Sequence, residues 1–135
     1  MLEYDIISDD YTCPTLEEIQ EWAEIILKMI IKSKLMPKGL CLNLFGTFWT
    51  RNPNWIDKYV INHERIHTAQ QRELLFIPFY VLYLIEWCIK RFQYNSWKQA
   101  YYNISFEKEA YKYGNDLTYL KNRKHYSWIT FLIQR

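Results

Sequence analysis

The sequence predicts a mainly α-helical chain with one short β-element, the mixed class α+β. Three observations predict it: apolar residues at helical spacing over most of the length, one stretch of alternating apolar residues, and few glycines and prolines. Half of the 135 residues are hydrophobic and 19% are aromatic, with three glycines and four prolines. This composition is typical of a packed chain rather than a disordered one. We expect a single domain over residues 1–135.

The first helix and the β-element are predicted from the N-terminal half. Thr15 can cap a helix while Glu18 reaches back to it in a capping box. Apolar residues then recur three and four positions apart to about Ser33, so we expect the helix to end there. Residues 40–50 alternate apolar with other side chains around Gly46. This pattern indicates one bent strand or a hairpin with a bulge at the glycine.

The C-terminal half is predicted to be helical. We expect helices over about 55–75, 78–92, 97–102 and 106–113, and one more over the tail from 117 to 132. Residues 74–88 are apolar except for Glu86, which we expect to pair with Lys90 four positions on. This run is shorter than the ~20 residues that a transmembrane helix needs. We therefore predict a buried core helix, with a membrane-embedded or interfacial helix as the alternative.

Charge and cysteine usage exclude several classes of protein. The formal net charge of +2 is too small to indicate a nucleic-acid partner. The three cysteines are odd in number and far apart, which argues against a disulfide framework or a cysteine-based zinc site. The acidic start is unlike the basic start of a signal peptide. We therefore expect a cytoplasmic setting.

The strongest chemical motif is HERIH at residues 63–67. Its histidines, His63 and His67, are four positions apart and therefore lie on one face of a helix. Two imidazoles so placed can bind one zinc ion, each nitrogen ~2.0–2.1 Å from the metal. Glu64 lies on the adjoining face, where its carboxylate can take a proton from water that the metal has acidified. The spacing predicts a zinc site with Glu64 as its catalytic base.

A third protein ligand is needed, because catalytic zinc sites usually have three and leave one position for water. His125 is the remaining histidine, and residues 105–111 contain two glutamates, Glu107 and Glu109. A glutamate from this second helix would complete a set of two histidines and one carboxylate. The residues alone leave the choice between Glu107 and Glu109 open.

The motif at 63–67, followed by FEKEA at 106–110, resembles the gluzincin metallopeptidases. In that family a second helix supplies a glutamate within the pattern E-x-x-[SA]-D. The resemblance implies that Glu107 is the third zinc ligand, with Glu109 as the fallback. The aspartate that ends the pattern orients a zinc-bound histidine in the family. This chain has Tyr111 at that position, so it departs from the family there.

Residues 61–73 and 104–111 are also similar to small bacterial proteins described as zinc peptidases, and the similarity extends over about 40–128. It implies a helical body in which a strand lies beside the zinc-binding helix. It also implies that the strand edge, here within 40–50, pairs with an extended peptide substrate. The expected function is zinc-dependent hydrolysis of peptide bonds in a peptide or protein substrate.

Two other functions stay open at this point: a metal-binding module without activity, and a membrane-associated protein anchored by residues 74–88.

A peptidase also needs a donor that stabilises the oxyanion of its tetrahedral intermediate. The residues eligible for this role are Tyr111, Tyr113, Arg123 and His125, and the sequence does not choose among them. Gln71 shares a helix face with His67, although an ordinary polar position is the simpler expectation for it. Asn62 could form a hydrogen bond near the site or lie in solvent.

Overall fold

The computed structural model describes residues 15–133, which form a helical body and a small sheet. The helices are α1 (Leu16–Met29), α2 (Lys58–Glu73), α3 (Ile77–Gln93), α4 (Trp97–Tyr102), α5 (Ser105–Tyr113), α6 (Tyr119–Asn122) and α7 (Ile129–Ile133). The strands are β1 (Ile30–Lys32), β2 (Cys41–Leu44) and β3 (Thr47–Thr50). This architecture confirms the predicted mainly α class with a short β-element.

The first helix begins directly after Thr15 as predicted, but it is shorter than expected. It ends at Met29 rather than near Ser33, and Ile30–Lys32 form a strand that pairs in parallel with β3. Two consecutive β-branched residues fit a pleated strand better than a helix. The pairing also gives their backbone groups partners in the sheet. The side chain of Glu18, the second half of the predicted capping box, lies outside the described part of the structure.

The predicted hairpin is confirmed over β2 and β3, which pair antiparallel with Leu44 opposite Thr47. Gly46 is part of a two-residue turn, however, and not of a bulge. Phe45 and Gly46 both have positive φ, 52° and 82°, as such turns require. Phe45 tolerates this conformation because its backbone N–H donates to the Tyr80 hydroxyl at 2.8 Å. In the described sheet β3 is central and β2 lies at an edge.

Helices α2 and α3 form where the sequence predicts them. Asp57 caps α2, since its carboxylate accepts from the N–H groups of Tyr59 and Val60 at 2.9 Å. Pro78 lies in the first turn of α3, where its missing N–H costs no helical hydrogen bond. Between the helices, Leu75 and Phe76 both have positive φ, so the chain reverses sharply there.

The prediction that α3 is a buried core helix is wrong. Only Phe79 and Glu86 of α3 are buried, and the side of the helix that faces away from the body is apolar and exposed. The buried side contributes to a core cluster of Phe79, Ile104, Phe106 and Trp128. No helix among residues 15–133 is long and apolar enough to cross a membrane.

The expected ion pair between Glu86 and Lys90 is replaced by a longer-range contact. The Glu86 carboxylate accepts from the Ser105 backbone N–H at 2.7 Å and from its hydroxyl at 2.6 Å. Ser105 begins α5, where N–H groups lack helical partners and the helix dipole favours negative charge. Glu86 therefore caps α5 from α3 and fixes the position of the helix that carries Glu107.

The tail is not the single helix predicted over 117–132. It forms α6 and α7, separated by a turn in which Tyr126 has a φ of 59°. Arg123 ends α6 with an extended backbone and directs its side chain inward to two carboxylates. Buried ion pairs thus determine the path of the chain here, and local helix propensity does not.

Candidate metal centre

Three donor side chains meet where α2 packs against α5. His63 and His67 lie one turn apart on α2, and Glu107 faces them from α5. The two Nε2 atoms are 3.1 Å apart. Glu107 Oε2 lies 3.4 Å from Nε2 of His63, and its Oε1 lies 3.3 Å from Nε2 of His67. The structure therefore brings together the three residues that the sequence predicted as ligands.

These separations fit a tetrahedral metal ion. Ligands ~2.0–2.1 Å from a tetrahedral ion lie about 3.3–3.4 Å from one another, close to the 3.1 Å between the two Nε2 atoms. Glu107 approaches each imidazole with a different oxygen, and one ligand atom from each of the three residues lies within 4.8 Å of the others. Glu107 Oε2 is buried and has no hydrogen-bond partner, which is costly for a carboxylate oxygen unless a cation approaches it. Two imidazoles and one carboxylate are also a donor set that zinc favours. The residues therefore fit a zinc ion.

Glu107 is held in place by a second contact. The Tyr83 hydroxyl on α3 donates to its Oε1 at 2.7 Å. Burial alone would raise the pKa of Glu107, but His67 and His63 outweigh it and hold that pKa well below its usual range. The carboxylate is therefore ionised and available as a ligand at neutral pH.

Each imidazole is oriented by a group on its far side. The Nδ1 of His67 lies 2.8 Å from Gln70 Oε1, and the His63 ring is hydrogen-bonded to the backbone of Ala110. Gln70 in turn donates to the Phe106 carbonyl at 3.1 Å and to Glu109 at 3.0 Å. Contacts of this kind fix the tautomer so that Nε2 is free to bind a metal. Both Nε2 atoms accordingly point into the cluster.

Glu109, the fallback ligand, lies outside the cluster. Residues two apart on a helix point in different directions, and Glu109 faces Tyr119 and Arg123. Arg123 also pairs with Glu73 of α2, so two buried carboxylates share one guanidinium. The third histidine of the chain, His125, is exposed and lies 3.4 Å from Glu73, away from the cluster.

Tyr111, the residue at which this chain departs from the gluzincin pattern, forms an aromatic contact with His63. The ring of Tyr111 meets the His63 ring edge to face, with centroids 4.5 Å apart. At this position an aromatic ring therefore takes the place of the family's carboxylate, while the backbone of Ala110 contacts His63 and Gln70 supports His67. Sequence reasoning missed Gln70. Its spacing of three positions after His67 was the signal that could have found it, because such residues are neighbours on a helix.

Gln71 and Asn62 have structural roles. Gln71 is buried and donates to the Asn43 carbonyl of β2 at 3.2 Å, so it holds the strand against α2. Asn62 is also buried, and its amide donates to the carbonyls of Gly114 and Asp116 at 2.8 and 3.0 Å. It therefore caps the chain that leaves α5.

Glu64 is buried beside the cluster without belonging to it. Burial raises its pKa to about 7, because the charged form is poorly solvated there. Glu64 lines two cavities, of about 300 and 210 Å³. Leu40, Cys41 and Tyr101 line both of them as well. A ligand in either cavity would therefore lie beside both the start of β2 and Glu64.

The outer edge of β2 is open at one end and covered at the other. The Asn43 carbonyl accepts from Gln71, and the Phe45 N–H donates to Tyr80. Toward Leu40 and Cys41 the same edge borders the cavities. An extended segment that pairs with β2 would therefore do so toward Leu40 and Cys41, beside cavities that Glu64 also lines.

Comparison with known proteins found no match among family models, curated proteins or solved structures. The gluzincin likeness therefore stays a resemblance between motifs. The geometry of the cluster provides the functional information.

Proposed function

We propose that this protein is a zinc-dependent peptidase of the gluzincin kind. One observation carries the proposal: three donor groups from two helices converge at distances that suit zinc, beside a buried carboxylate and an open cleft. Within residues 15–133 no histidine, cysteine or acidic side chain joins these three residues as a fourth ligand. An open position supports a catalytic site over the closed site of a structural metal module.

His63, His67 and Glu107 would hold the ion. Bound zinc acts as a Lewis acid that polarises an amide carbonyl and acidifies water. Glu64 takes one proton from the water as the water oxygen bonds to the carbonyl carbon. The carboxylate then passes this proton to the leaving nitrogen as the C–N bond breaks. The carboxylic acid product then gives up the second proton of the water, which the amine takes, so the final products are a carboxylate and an ammonium group.

Tyr101 is the oxyanion donor that we assign. It lines both cavities beside Glu64, and its hydroxyl lies 3.5 Å from that of Tyr111. Three of the four residues considered from the sequence are engaged elsewhere, namely Tyr113 against Tyr119, Arg123 with its two carboxylates, and His125 at the surface. Tyr111 contacts His63 through its ring, which supports a role in packing the imidazole.

The substrate in this proposal is an extended peptide that pairs with the open end of β2. Main-chain hydrogen bonds to a strand edge recognise a peptide without reading every side chain. We place the protein in the cytoplasm, because Cys41 and Cys88 are free thiols and a reducing compartment keeps them so.

Elemental analysis of the purified protein tests the metal. We expect about one equivalent of zinc, lost in His63→Ala, because the motif supplies two of three ligands. Glu64→Gln separates binding from catalysis. It should retain zinc while losing cleavage of a peptide library, and a wild-type protein that binds zinc but cleaves no peptide would refute the enzyme.

A further inference from the structure

The outward side of α3 is a continuous apolar surface, which we call the α3 outer face. Its residues are 50–94% exposed, and they are Ile77, Val81, Leu84, Ile85, Ile89 and Phe92. At 100° per residue they span an arc of about 140° along a helix about 25 Å long. No charged residue lies between Ile77 and Ile89 except Glu86, which points inward to Ser105.

The extent of the α3 outer face indicates a binding surface. Single exposed apolar residues are common, but contiguous apolar patches of this extent mark sites that bind protein or membrane. The patch also continues past the helix. Leu75 is exposed in the reversal before α3, and Phe76 contacts the exposed Phe45 of the hairpin with ring centroids 5.7 Å apart.

The charges around the α3 outer face have one sign. Both acidic side chains between residues 72 and 98 are withdrawn, Glu73 to Arg123 and Glu86 to Ser105. The basic side chains are at the surface or partly exposed, and they are Arg72, Lys90, Arg91 and Lys98. At 100° per residue, Arg91 lies about 20° beyond one edge of this arc, whereas Lys90 lies on the opposite side of the helix. An apolar strip whose accessible neighbours in sequence include basic but no acidic side chains is complementary to an anionic layer with an apolar interior.

We propose that the α3 outer face binds the surface of a membrane that contains anionic lipid. The helix would lie in the plane of the interface with its apolar side among the acyl chains and its basic residues at the headgroups. Phe92 and the exposed Trp97 lie at its C-terminal end, and aromatic side chains favour that depth. The proposal is independent of zinc and of peptidase activity.

A second copy of the chain is a less suitable occupant. Packing two α3 outer faces in parallel would bring Arg91, at the edge of the arc, near Arg91 of the other copy. The α3 outer face carries no accessible acidic side chain to compensate this charge, whereas anionic headgroups provide countercharge.

Sedimentation with lipid vesicles tests the proposal. Full-length protein is mixed with vesicles of phosphatidylcholine alone, or with an equal amount of phosphatidylglycerol added, at low and high salt. We expect binding to the mixed vesicles that weakens as salt screens the charges. Ile85→Glu combined with Ile89→Glu should reduce binding by about tenfold or more, because two carboxylates would enter the apolar layer.

Two further variants keep the test decisive. Arg91→Gln with Lys98→Gln should weaken binding to mixed vesicles by about fivefold per charge. This variant tests the proposal even if circular dichroism shows that the glutamate pair misfolds. Leu35→Glu makes the same apolar-to-acidic change in the exposed loop between β1 and β2, and it should bind like wild type. No binding to either vesicle would overturn the proposal. The proposal would also fail if light scattering showed that the wild-type protein is a dimer, that the double glutamate variant is a monomer, and that neither binds vesicles.

Discussion

Helices α2 and α3 are neighbours in sequence and distribute their residues in opposite ways. Most of the buried residues of α2 are polar, and they are Asn62, Glu64, His67, Thr68, Gln70 and Gln71. The long apolar helix α3 buries only Phe79 and Glu86 and exposes most of its apolar side chains. Burying polar groups and exposing apolar ones both lower the stability of a fold. The difference indicates that these two surfaces serve binding.

Among the buried polar groups, we expect Arg123 to contribute most to the stability of the fold. Its guanidinium pairs with Glu73 and Glu109, and all three side chains are at most 5% exposed. Arg123→Ala should lower the free energy of unfolding by about 3–5 kcal/mol, because two buried carboxylates lose their countercharge. Chemical denaturation measures this loss. The adjacent exposed Lys124→Ala is the control, and equal effects of the two changes would show that the network is weak.

The metal cluster is the next feature to test. Glu107→Ala should weaken zinc binding by more than about a hundredfold, beyond the 10–100-fold loss typical of changes behind the ligands. Competition against a chromophoric chelator measures the dissociation constant. Glu17→Ala removes an exposed carboxylate on α1 and should leave affinity unchanged. Unaltered zinc affinity in Glu107→Ala would place the third ligand elsewhere.

Gln70 and Gln71 separate metal support from packing. Both are buried amides on α2, but only Gln70 contacts a predicted ligand, His67. Each change to alanine should lower the free energy of unfolding by about 1–3 kcal/mol, since each leaves buried partners unsatisfied. Only Gln70→Ala should also weaken zinc binding, by about 10–100-fold.

Two measurements on each variant distinguish the roles: chemical denaturation and chelator competition. Proton NMR of the His67 ring provides a further readout, because Gln70 sets its tautomer and Gln71 does not contact it. Equal zinc affinities in the two variants would mean that Gln70 contributes to packing alone.

Local patterns predicted much of the fold. The helical spacing around HERIH, the proline that opens α3 and the alternation in the hairpin all correspond to observed elements. The errors arose where contacts between residues far apart in sequence determine the local structure. Pairing with β3 turned the end of the first predicted helix into β1, and two buried carboxylates drew Arg123 inward and divided the tail. No window of sequence contains such partners.

The site shows the same division. The spacing of His63 and His67 follows from helix geometry, and the second helix was identified with two candidate glutamates. The convergence of Glu107, and not Glu109, depends on how α5 is rotated against α2, which Glu86 helps to fix from a third helix. Tyr101 and Tyr83 approach the cluster only through tertiary packing, so no local sequence pattern indicates either residue.

The smallest expected effect lies on the α3 outer face. Val81→Ser should change the free energy of unfolding by less than about 0.5 kcal/mol, because the side chain is already exposed to water. On the opposite side of the same helix, Phe79→Ala should cost about 3–5 kcal/mol, since it leaves a cavity in the core. Chemical denaturation of dilute protein without lipid measures both. A cost for Val81→Ser close to that of Phe79→Ala would mean that the outer face is covered in solution, and the contrast between α2 and α3 would then disappear.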